Sequence, residues 1–126
     1  MAEKPFLSEP TGAQLAQAVA SYLEKVAIPA LEGHAAFHGR VAVNVLNILA
    51  RELTDGPGAA EAEADRLSGL IGLSGDLDTL RRALCDRIRA GQMTLDTPGL
   101  ADHLLETAAA RVRIEQPNYA SLRRAP

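Results

Sequence analysis

Apolar residues recur along this chain at helical spacing, and the interruptions between periodic stretches fall at glycine and proline. Leu15, Val19, Tyr22, Leu23 and Val26 lie on one face of a helix. Thr11-Gly12-Ala13-Gln14 just before them matches a capping box, with the Thr hydroxyl and the Gln amide each meeting a free N–H. Ile28-Pro29 and Gly33 predict a break. A second helix is expected from about His34 to Leu53, with Phe37, Val41, Val45, Ile48 and Leu49 on one side and Ala42, Leu46 and Leu53 widening the stripe. Asp55-Gly56-Pro57-Gly58 predicts its end. A third helix is expected over Ala59–Ile71, its acids Glu61, Glu63 and Asp65 near the positive helix end and Leu67, Leu70 and Ile71 in its second half. After a turn at Gly72 and Gly75, Leu77, Leu80, Leu84 and Ile88 predict the buried face of a fourth helix over Asp76–Ala90, with Gly91 as a left-handed cap. A fifth helix is expected from Thr97-Pro98, burying Leu100, Leu104, Ala108 and Val112 and ending at Gln116-Pro117-Asn118-Tyr119.

No segment alternates with period two, and no internal repeat occurs. The expected fold is therefore all-α: a compact bundle of about five helices in a single domain. Residues 1–10 read as an N-terminal arm, residues 11–120 as the helical domain, and residues 121–126 as a C-terminal tail. The chain has 126 residues, 47% hydrophobic and 3% aromatic, so its core must be aliphatic. Apolar stripes this wide on so short a chain predict self-association as a homodimer.

Net charge is −3, the wrong sign for a dedicated nucleic-acid binder. The charge is uneven. Residues 1–80 carry 5 basic and 11 acidic groups, whereas residues 81–126 carry 8 basic and 5 acidic. The basic half suits an acidic partner, or complements the acidic half within the fold or a dimer. Cys85 is the single cysteine, so an intramolecular disulfide and a cysteine-based zinc site are both excluded. The N-terminus lacks a basic stretch followed by an apolar one. The apolar run Val41–Ala50 is too short to span a bilayer and is interrupted by Asn44 and Asn47. A cytoplasmic location and no membrane partner are expected.

One polar pattern needs a reason. Arg40, Asn44, Asn47 and Arg51 fall within roughly one 60° arc of the second helix, beside its apolar stripe. Arginine offers a planar fork for carboxylate or phosphate, and asparagine both donors and acceptors. The seam reads either as an internal structural seam, which a central helix contacted on most sides favours, or as a binding surface for an anionic ligand or a partner helix. Arg81, Arg82, Arg87 and Arg89 give the fourth helix a basic character, either a solvated face or a docking surface. Arg81 joins the seam residues as a candidate contact, and Arg81 or Arg82 is a candidate partner for Glu52, which points into the apolar arc. His34 and His38 stand four apart, but Glu52 is several turns away and cannot complete a metal site with them. Cys85 reads as a small apolar packer. No Gly-rich phosphate loop and no Gly-x-Ser-x-Gly occur, and no serine–histidine–acid set stands out. No cofactor, metal or catalytic residue is therefore assigned, and the balance tilts away from an enzyme.

The segment His38-Gly39-Arg40-Val41-Ala42-Val43-Asn44-Val45-Leu46, followed by Ala50-Arg51-Glu52-Leu53, resembles the core of an uncharacterised bacterial family of all-helical domains of unknown function. The resemblance runs from about residue 14 to residue 120. It implies a small accessory protein encoded beside acyl-CoA dehydrogenase-like proteins and aminoglycoside-phosphotransferase-like kinases, and it carries over no catalytic residue. The expected function is binding of such a protein partner through the Arg40/Asn44/Asn47/Arg51 seam and the basic fourth helix. The alternative is a small-molecule module or cryptic enzyme that holds an anionic, CoA-like ligand on Arg40 and Arg51.

Overall fold

Among residues 4–125, which the computed structural model describes, four α-helices and three short helical turns account for the regular structure, and no strand occurs. The all-helical reading holds, but the helix count falls from five to four. The expected second and third helices are one continuous element, α2 (Gly33–Ile71), with Pro57 inside it. A proline in a helix interior removes one N–H donor and crowds the carbonyl four residues back. Propagation nonetheless adds one bond per residue once a helix has formed. Neither Gly56 nor Gly58 adopts a positive φ, so the two glycines do not turn the chain. Thr54 Oγ1 donates to the Ala50 carbonyl at 2.8 Å, one turn before the proline. The acids Glu61, Glu63 and Asp65 thus lie inside a helix, with no free helix end beside them.

The contacts divide the chain into two units, one running to Pro57 and one starting at Gly58. In the first unit, α1 (Gly12–Tyr22) opens with the expected capping box: the Gln14 N–H donates to Thr11 Oγ1 at 3.1 Å, and the Thr11 N–H donates to Gln14 Oε1 at 2.8 Å. The helix loosens into a π-turn over Leu23–Ala27 and then tightens into a 3₁₀ turn over Ile28–Ala30, where Pro29 cannot donate. Gly33 at φ +56° adopts the left-handed conformation that only glycine accepts cheaply, and α2 starts there. α1 and the first half of α2 form an antiparallel hairpin. A Cβ on Gly12 would lie 3.0 Å from Leu53 Cδ1, and one on Gly39 would lie 2.8 Å from Ile28 Cγ1. The buried apolar side chains of this unit are Ala16, Ala20, Ala36 and Ala50.

In the second unit, Leu67, Ile71, Leu80, Leu84, Met93 and Leu100 form one core, flanked by Ala64, Leu70, Leu77 and Ala83. Asp76 caps α3 (Leu77–Arg89), accepting from the Thr79 N–H at 2.9 Å and from Thr79 Oγ1 at 3.0 Å. These two bonds hold its carboxyl below the usual range. Gly91 ends the helix as expected, at φ +72°. Gln92 N–H donates to Arg87 O and Gly91 N–H to Ile88 O, the bond pair of a Schellman cap. α4 spans Leu100–Glu115 and starts at Gly99, two residues beyond the expected Thr97 cap; Thr97 Oγ1 instead accepts from the Thr94 N–H. Leu104 and Ala108 are exposed, and α4 buries Leu100, His103, Ala109 and Ile114. Ile88 and Cys85, expected among the buried groups of α3, are exposed. The tail forms a 3₁₀ turn over Ala120–Arg124.

Candidate functional site

The periodic faces of α1 and of the first half of α2 are present, but they point outward. Leu15, Val19 and Tyr22 on α1, Val26 on the π-turn after it, and Phe37, Val41, Val45, Leu49 and Leu53 on α2 are each 45–59% exposed. The hairpin closes on alanine methyls because small side chains let helix axes approach closely, and closure on that side leaves the larger groups facing out.

The seam residues share one margin of this face. Arg40 and Asn44 are exposed, while Asn47 and Arg51 are half-buried. Glu52 is exposed and folds back along its own helix: a Cβ on Gly56 would meet Glu52 Oε1 at 2.7 Å. The expected pairing of Glu52 with an arginine of the fourth helix is therefore not formed by Arg81, whose partner is Glu63. His38 is also exposed, its ring edge-on to Phe37 with centroids 5.5 Å apart.

Arg81 lies in the second unit, on α3. Its Nε donates to Glu63 Oε1 at 2.8 Å and its Nη2 to Glu63 Oε2 at 2.6 Å, a two-pronged pair. Glu63 is 7% exposed. The Arg81 hydrogen bonds hold its carboxyl below the usual range, against burial, with smaller help from the charges of Arg81, His103 and Arg66. Arg66 Nη2 donates to Thr107 Oγ1 at 3.3 Å, and Arg66 Nε lies 3.4 Å from Glu106 Oε2, an ion-pair distance without hydrogen-bond geometry. His103 is 4% exposed, and its Nδ1 meets no hydrogen-bond partner among the described residues. Burial first and Arg66 second push this imidazole toward its neutral form, with Glu63 and Glu106 opposing. Among the described residues, no three His, Cys, Asp or Glu side chains gather as a metal site would need. No described helix is long and apolar enough to cross a membrane.

The family model for a domain of unknown function, DUF6285, matches residues 29–119. The chain belongs to the DUF6285 family. No curated protein matches it, and no solved structure does. The DUF6285 segment contains α2, α3 and α4 whole and leaves α1 outside. All four seam residues, Arg81 and the Glu63–Arg66–His103 group lie within it.

Two residues of this DUF6285 chain escaped the sequence reading. Glu63 lies at an expected helix start, where an acid needs no partner. His103 falls outside the expected stripe of Leu100, Leu104, Ala108 and Val112. The spacing Leu100, His103, Thr107, Ala110, Ile114 is an equally good helical stripe, with two polar members.

Proposed function

We propose that this DUF6285 member is a cytoplasmic, non-enzymatic accessory protein that acts by binding protein through the outward face of its first unit and the polar margin beside it. The observation that carries the reading is the face itself. Nine large apolar side chains, each about half exposed, together expose roughly 900 Å² around the hairpin, and a large exposed apolar surface rimmed by polar groups marks an interaction site. Arg40, Asn44, Asn47 and Arg51 supply the polar rim that interfaces carry around an apolar centre. The exposed Arg82 and Arg89 on α3 add a basic surface for an acidic partner. The partner class suggested by resemblance is an acyl-CoA dehydrogenase-like or kinase-like phosphotransferase protein.

The test is capture of the tagged full-length chain from its native lysate, with mass spectrometry of what co-purifies. A stoichiometric dehydrogenase-like or kinase-like partner, lost from Arg40→Ala/Arg51→Ala with helical content retained, is expected. Recovery of this chain without such a partner, with no difference between the variants, would overturn the accessory role. A second reading takes up the half-buried Asn47, which lies between Arg40 and Arg51 along α2: an anionic, CoA-like ligand bound along Arg40 and Arg51. It requires coenzyme A to raise the melting temperature, and Arg51→Ala to abolish that rise without unfolding the chain.

A further inference from the structure

The outward stripe of α2 is symmetric about one residue. Phe37, Val41, Val45, Leu49 and Leu53 are spaced by four, with Val45 at the centre. His38 precedes Val45 by seven residues and Glu52 follows it by seven, two turns or about 10 Å either way. Both are exposed, and both project close to the direction of Val45 on the helical wheel. We propose that a second copy of this chain covers the face, with its α2 antiparallel to the first and a two-fold axis at Val45.

That register sets Val41 near the partner's Leu49, about 40° to either side of Val45, while Phe37 and Leu53, about 80° to opposite sides, stay at the margins of the contact. It also sets His38 against the partner's Glu52, twice by symmetry. A parallel pairing would instead bring Glu52 against the partner's Glu52, like charge on like charge inside an apolar face. Avoiding that like-charge contact selects the antiparallel arrangement, in which a ring N–H of His38 can donate to the partner's Glu52 carboxylate. Leu15, Val19 and Tyr22 of α1 and Val26 of the π-turn are the other half-exposed apolar groups of the hairpin, and pairing two hairpins brings four helices together. The nine half-exposed side chains set an upper bound of about 900 Å² on each protomer, or about 1,800 Å² in total, which leaves room for the roughly 1,200–2,000 Å² of a stable interface. The interface is isologous, so it closes at two copies. The proposal rests on the reading of this face as a protein contact, and it leaves the Arg40 margin for a different protein.

Sedimentation of the purified full-length chain tests it. The expected species is twice 13.3 kDa. Val45→Glu, which sets two carboxylates together on the axis, should weaken dimerisation at least 100-fold with helical content retained. His38→Glu and Glu52→Lys should each weaken it several-fold, and the double variant should recover to within about threefold of the parent. A monomer at every concentration overturns the proposal, whether the face is bare or covered by the chain's own second unit. A dimer indifferent to Val45→Glu also overturns it. A dimer broken by Val45→Glu but not rescued by the double variant overturns the register. Capture of a dehydrogenase-like or kinase-like partner by a monomeric chain would sink the dimer and leave the accessory role standing.

Discussion

Replacing Arg81 with alanine should destabilise the second unit by about 2–3 kcal/mol. The perturbation strands Glu63, whose side chain is 9% exposed and loses both charge-assisted bonds, at 2.8 and 2.6 Å. A hydrogen bond to a charged group contributes about 1.5–3 kcal/mol, and removing one member of a fully buried ion pair costs about 3–5 kcal/mol. Arg81 is itself half in solvent, which screens the pair and brings the figure below that range. Arg82 is its exposed neighbour and makes no ion pair among the described residues, so Arg82→Ala should stay within about 0.5 kcal/mol. Urea unfolding followed by circular dichroism reads both. Acid supplies a second check. Glu63 has a lowered folded pKa, so the contribution of the pair is complete above the ordinary value of 4.5 and is lost as pH falls through the lowered one. The gap between parent and Arg81→Ala should therefore close in strong acid. Equal effects of Arg81→Ala and Arg82→Ala at neutral pH would refute the reasoning.

Other outcomes follow from the same geometry. The lowered pKa of His103 means its unfolded form takes up a proton first; stability should begin to fall as pH drops below 6.5, and His103→Phe should remove that phase of the urea midpoint against pH. Pro57→Ala should raise the melting temperature, by about 1–3 kcal/mol of helix stability, because α2 runs through the site; no change, or a loss, would indicate a turn there. Thr11→Ala removes the acceptor of the Gln14 N–H and should cost about 1 kcal/mol, read as earlier hydrogen exchange in the first turn of α1.

Periodicity and caps were legible because they are local. The Thr11 box, the Asp76 start and the Gly91 stop each depend on a few neighbouring residues, and each formed as expected. The run Asp55-Gly56-Pro57-Gly58 was misread because breaker residues act through intrinsic preference, of the order of 1 kcal/mol for glycine and 3 for proline, which the structure on either side can outweigh. The roles of Glu63 and His103 depend on partners far along the chain, Arg81 and Arg66, that no local pattern announces. The outward face shows a different limit. A helical stripe records that a surface must be covered, and carries no mark of whether the cover belongs to the same chain. Four alanines took the inner side of the hairpin, where longer apolar groups were expected. The seam residues Arg40, Asn44, Asn47 and Arg51 lie in one continuous helix, the first two exposed and the last two half-buried.

The central claim is that another protein molecule covers the outward face of α2, and a thiol placed at its centre tests this most directly. Val45→Cys in a Cys85→Ser background carries one cysteine, because Cys85 is the only one in the chain. Its maleimide labelling rate would be followed across a hundredfold range of protein concentration. The account predicts slow labelling when concentrated, rising toward the rate of a free thiol on dilution. Free-thiol labelling at every concentration, or equally slow labelling at every concentration, would contradict it.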